Sequence, residues 1–200
     1  YQMYRNVYWH HAVRSATCMF KRAARAAVAA RVVSIEAIGD LTDDAFMEIL
    51  VSRGPSPLAI AVRTRRLFKR ALDLPASDVG GFAAPWVSED PGLLERVEDA
   101  VAAECGLEAG ELLIDFPARP SMLSVDLPLE TRRGRVERLT DEGRAGQLGL
   151  PRVADELYRS ARRLRVFVAR KPSRSPDLVT GLIQRPADDV ASALERGSLA

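Results

Sequence analysis

Both histidines of the chain, His10 and His11, stand side by side at the end of a run from Tyr1 that also holds three tyrosines, a tryptophan and an arginine. Tyr, Arg and imidazole groups can stack on a nucleobase and donate to phosphate oxygens without acting as acids or bases. The same residues serve as well for core packing, each Tyr hydroxyl reaching a polar partner. Periodicity leaves both readings open. The adjacent histidines do not make a metal clamp, because successive helical residues point about 100° apart. A chelating helix needs i,i+4 spacing and further ligands, and the chain has no third His. Walker loop, GxGxxG, GxSxG and HExxH motifs are all missing. Judged by its own residues the chain holds no complete active site, and no catalytic residue is assigned.

A second candidate lies in RRLFKR, where Arg65 and Lys69 flank Leu67 and Phe68. Two cations beside a buried apolar anchor suit a phosphate, since charge-assisted bonds to phosphate oxygens are the strong ones. The alternative is an ordinary solvated face, where isolated charges contribute little. The bases are almost all Arg, with Lys only at Lys21, Lys69 and Lys171. That bias fits a GC-rich genome as well as a need for bidentate phosphate contacts.

Composition narrows the class. The 200 residues suit one domain or a domain with a small appendage, and 47% hydrophobic residues are enough for a core. A formal net charge of +2 argues against nucleic acid as a partner. Cys18 and Cys105 have neither disulfide-framework nor zinc-site spacing and fit a reducing compartment. No apolar run approaches a spanning helix and the start is too polar for a signal peptide, so a soluble cytoplasmic protein is expected, with no membrane partner.

The elements that must position these residues read as mainly helical, mixed α+β. From Tyr1 to about Ala30 there is neither Pro nor Gly, which predicts one long helix. Thr42 is an N-cap for the next, with Asp43 and Asp44 at its positive end and Gly54 as its stop. Ser56-Pro57 starts a short basic helix that passes into a strand near Leu67–Leu74. ASDVGGFAAPWVSE reads as loop. A helix from Asp90-Pro91 ends at Gly106, and ELLIDFP is a buried strand. SVDLPLETRRGRVERL predicts a hairpin turning at Arg133-Gly134. LPRVADELYRSARR is an amphipathic helix and LRVFVAR a strand, followed by a Pro/Ser-rich linker and a short Ala-rich terminal helix. The expected division is 1–66 helical, 67–171 a compact α+β subdomain, and 172–200 a linker with its helix.

Three stretches in order carry a family resemblance: MYRNVYWHHAVRSATCMFKRA, then LTDDAFMEIL with RRLFKR, then LLIDFP with LYRSARRLRVFV. Together they resemble the part downstream of the HD motif in HD-domain metal-dependent phosphohydrolases, nearest the dNTP triphosphohydrolase-like branch. The resemblance covers roughly residues 1–170 and implies that the first helices are the rear of an HD-domain helical fold. It also accounts for a chain that starts without Met, as the C-terminal half of such an enzyme. The metal-binding His, His-Asp and Asp residues would lie upstream, so any divalent metal would be held there. By the same resemblance Tyr4 and Tyr8 line the substrate pocket, Tyr8 against sugar or base. Tyr4 replaces a His and Trp9 replaces a Gln of the relatives, which alters those contacts. His10 and His11 fall at positions lining an effector nucleotide site at a subunit interface, and Arg65 and Lys69 at positions that hold the effector's triphosphate.

The implied function is part of an enzyme that hydrolyses a dNTP to deoxynucleoside and triphosphate. This chain would supply pocket wall, effector site and the contacts of a homo-oligomer. The alternative is a nucleotide-sensing or oligomerisation module without hydrolase activity.

Overall fold

The computed structural model describes residues 9–54, 56–79, 84–117, 127–130, 132, 134–139, 162–197 and 199. Among them are helices α1 (His11–Ala29), α2 (Ile35–Gly39), α3 (Asp43–Ser52), α4 (Pro57–Arg63), α5 (Trp86–Glu89), α6 (Pro91–Glu104), α7 (Val179–Leu182) and α8 (Ala187–Glu195). Strands are β1 (Lys69–Pro75), β2 (Leu112–Asp115), β3 (Leu127–Glu130), β4 (Val136–Leu139) and β5 (Arg163–Val168). The fold is mixed α+β and mainly helical, with a three-stranded antiparallel sheet in the order β1-β5-β2. None of the described helices is long and apolar enough to cross a membrane.

The chain forms two compact units interleaved in sequence: residues 1–72, 98–115 and 166–176 make the first, and 73–97, 116–165 and 177–200 the second. In the first, α1 buries Ser15, Met19, Ala23 and Ala27, one residue per turn along a single face. Ala23 and Ala27 join Val33, Phe46, Leu50 and Ala59 in one apolar cluster, with Phe20 edge-on to Phe46 at 5.5 Å between ring centroids. Each start is capped as the sequence suggests: Thr42 accepts from the Ala45 N–H at 3.3 Å and Ser56 from the Ala59 N–H at 3.4 Å.

The second unit is held by Trp86, Leu93, Val97, Leu164, Val179, Ile183 and Val190, all buried. The segment expected as loop carries a 3-10 turn at Ala76–Val79 and helix α5. Burial of Trp86 and Val87 explains the helix, since the Trp86 indole N–H donates to the Arg185 carbonyl at 2.9 Å. The single terminal helix expected is two, α7 and α8, because Pro186 cannot continue a helix and serves as the N-cap of α8. The hairpin is as expected: β3 pairs antiparallel with β4, Leu127 opposite Leu139 and Glu130 opposite Val136. Gly134 between them has φ 73°, the left-handed conformation a tight turn needs. The helix expected at LPRVADELYRSARR lies almost wholly outside the described residues.

Candidate functional site

Helix α4 ends in a left-handed turn. Thr64 is its C-cap, and Arg65 follows at φ 57° with its N–H on the Val62 carbonyl at 3.0 Å. The Arg66 N–H reaches the Ala61 carbonyl at 2.8 Å, which completes a Schellman motif. The chain then lies on α1: the Ser15 hydroxyl donates to the Phe68 carbonyl at 3.0 Å and the Phe68 N–H points at the Met19 sulfur at 3.4 Å. These bonds fix where β1 begins, and so where Lys69 and Arg70 stand.

The facing wall is the stretch after β5, pinned to the end of α6. Arg170 donates from Nε to Glu111 at 3.0 Å and from its terminal nitrogen to the Gly106 carbonyl at 3.1 Å. Ser173 puts both its N–H and its hydroxyl on the Cys105 carbonyl, at 2.8 and 2.7 Å. Gly106 has φ 71°, and a Cβ there would stand 2.6 Å from the Ser173 Oγ, so only glycine fits.

Between these walls, within the first unit, is a cavity of about 500 Å³ lined by Lys69, Arg70, Arg170, Lys171 and Arg174, all exposed. Ala71 and Val168 supply its apolar part, and Pro172 and Pro176 border it. The size is that of a small-ligand site, and five cations around one space suit a polyanion. Ion pairing of Arg170 with Glu111 leaves the charge strongly positive.

Of the residues singled out in the sequence, Lys69 lines this cavity and Arg65, His10 and His11 do not. Arg65 sits in the turn after α4, not on one helical face with Lys69. Among the described residues the predicted long helix starts only at His11: His10 is non-helical, with φ −57° and ψ 137°, and its Nδ1 accepts from the Ala12 N–H at 3.4 Å as N-cap of α1. An accepting imidazole at a helix start satisfies an otherwise orphan N–H, which is why the helix begins there. The His10 and His11 rings stack loosely, centroids 4.2 Å apart at 40°, and both are exposed. Tyr4 and Tyr8 lie outside the described residues. Arg70, Arg170, Lys171 and Arg174 had been missed, although the run ARKPSR beyond an apolar strand was a signal.

A second polar group, also overlooked, is buried against α1. Arg14 makes a two-pronged contact with Asp115, at 2.9 and 2.5 Å. Arg22 bridges Glu98 at 2.9 Å and Asp99 at 2.9 and 2.8 Å. Glu98 also accepts from the Ile114 N–H at 2.8 Å. Burial pushes its carboxyl up to about 7, against the lowering pull of that amide and of Arg22 and Arg25. The signal was a carboxylate inside each apolar pattern, Asp115 in LLIDFP and Glu98 beside Val97.

A family model described as the HD associated region matches residues 1–144. The chain belongs to that family. No curated protein and no solved structure matches it. This HD-associated region is thereby linked to HD-domain proteins, which implies a divalent metal in the parent. Among the described residues no three or more His, Cys, Asp or Glu side chains group so as to hold one. The buried carboxylates Glu98 and Asp115 and the half-buried Asp99 are bonded to arginines, so the described residues do not fit a metal. Lys69 and Arg70 fall inside the matched stretch, whereas Arg170, Lys171 and Arg174 lie beyond it.

Proposed function

We propose that this region is the C-terminal, regulatory part of a cytoplasmic HD-domain phosphohydrolase that cleaves a dNTP to deoxynucleoside and triphosphate. Its basic cavity binds the phosphates of an effector nucleotide. Tyr4 and Tyr8 contribute to the substrate pocket, His10 and His11 face the effector across a subunit boundary, and the parent is a homo-oligomer. The divalent metal is held by residues outside this chain. One observation carries the reading: Lys69, singled out by the resemblance as a phosphate ligand, lines a cavity with four further cations.

Phosphate oxygens there meet ammonium and guanidinium donors, each charge-assisted contact contributing about 1.5–3 kcal/mol. Nucleotide binding to the 200-residue chain, followed by calorimetry, should therefore weaken by about tenfold or more when Lys69 and Arg174 are both changed to Ala. The affinity should also fall as salt rises, because exposed charges are screened. Equal affinity for the parent chain and the double variant would remove the cavity from the effector site.

A further inference from the structure

Resting on the reading of this cavity as a phosphate site, we propose that it recognises the polyphosphate chain and not the base, so that inorganic tripolyphosphate is itself a ligand. The argument is the chemistry of the described walls. They hold five cations, two serines and four apolar residues, with no aromatic ring, carboxylate or carboxamide. Reading adenine or cytosine takes side-chain acceptors placed along the base edge, the work of Asn, Gln, Asp or Glu; Arg and Lys can also read guanine, but here the phosphates take up their donors. Arginine planes stack on bases, but every base has such a face and stacking discriminates weakly among them. One of the two serines is already committed: the Ser173 hydroxyl donates to the Cys105 carbonyl at 2.7 Å, beside the bond its N–H makes to the same oxygen at 2.8 Å.

All five cations recognise what nucleoside triphosphates share. Inorganic tripolyphosphate presents the same oxygens without the nucleoside, and it is the product of the reaction proposed for the parent. Accumulating product therefore competes for the effector cavity and displaces whichever nucleotide occupies it. Feedback of this kind needs no second site, since product and effector carry one recognition group.

The test is competition calorimetry on the full 200-residue chain, with dATP, dGTP, dCTP, inorganic tripolyphosphate and deoxyguanosine as probes. The three nucleotides and tripolyphosphate should bind within about tenfold of one another, and deoxyguanosine should not bind. Lys69→Gln and Arg174→Gln, made separately at these exposed positions and checked by circular dichroism, should weaken all four anions in parallel. Nucleotides that bind while tripolyphosphate is weaker by more than about a hundredfold would overturn base-blindness and leave the effector reading intact. Tripolyphosphate binding unaffected by either variant would place it elsewhere and overturn the proposal. If no anion binds, the effector reading itself fails.

Discussion

At the level of single residues, Glu98 is a group whose environment changes its chemistry. It is 4% exposed, and burial outweighs the Ile114 amide and the Arg22 guanidinium in setting its proton affinity. Its folded value of about 7 lies above the ordinary 4.5. The folded chain therefore holds this proton more tightly than the unfolded chain does. Stability from this group is fully present below about pH 4.5 and is lost progressively as pH rises to about 7. The loss across that window is on the order of 3 kcal/mol. Glu98→Gln keeps an acceptor for the Ile114 N–H and leaves Arg22 its two bonds to Asp99. Urea unfolding at pH 5 and pH 7 should show the variant with a smaller difference between the two than the parent. An unchanged difference would assign the pH dependence to other groups. Arg14 with Asp115 is the opposite case, a half-buried guanidinium satisfying a buried carboxylate, where removing one partner costs more than the pair itself contributes.

At the level of elements, three helix ends share one design and differ in one residue. Helices α1, α4 and α6 each close with paired bonds back to the last turn, and the left-handed position is Arg31, Arg65 and Gly106 in turn. Arg31 and Arg65 are exposed, while a side chain at Gly106 would strike Ser173. Relief of the left-handed strain at Arg31 exceeds the extra chain entropy of glycine, so Arg31→Gly should raise stability by about 0.5–1 kcal/mol in thermal denaturation. Gly106→Ala should do the reverse, costing about 1 kcal/mol or more, and should also weaken anion binding by loosening the wall that Ser173 anchors. A Gly106→Ala chain as stable as the parent would mean that the wall adjusts freely. These ends also mark how far local signals reach. Thr42, Ser56 and Asp90 announced their helices because a cap is a short-range event: the Asp90 carboxylate accepts from the Leu93 N–H at 2.9 Å. The start of α1 was not legible, since an imidazole is an unusual cap and the surrounding residues all favour helix. Helix α5 was missed because it depends on the burial of Trp86, a tertiary effect.

At the level of the molecule, the sequence disclosed one wall of the cavity and concealed the other. Lys69 could be singled out because its neighbours resemble a family pattern. Arg170 reads as the end of a strand and residues 172–174 as a linker, and they become a wall only because β5 lies beside β1 and Cys105 anchors Ser173. A site assembled from segments about a hundred residues apart leaves no local spacing to detect. On the proposed function, binding and chemistry belong to different segments. The chain's two histidines are adjacent at one helix start, and the described carboxylates show no metal grouping. The 200-residue chain should therefore show no dNTP turnover with Mg²⁺ or Mn²⁺ while still binding triphosphates, and turnover that tracks the purified chain would refute this. In a protein carrying an intact HD metal site ahead of this region, binding and chemistry come apart by mutation. Lys69→Ala with Arg174→Ala should abolish nucleotide activation together with the assembly that depends on it. Basal metal-dependent hydrolysis should survive, because neither residue touches the reacting atoms. Coupling between sites is typically ~1–3 kcal/mol, which sets the expected shift in activator dependence at about 5- to 150-fold. Rate against activator concentration for the variant and the parent decides it: superimposable curves would return both cations to the solvated surface and leave the cavity to ligands unconnected with catalysis.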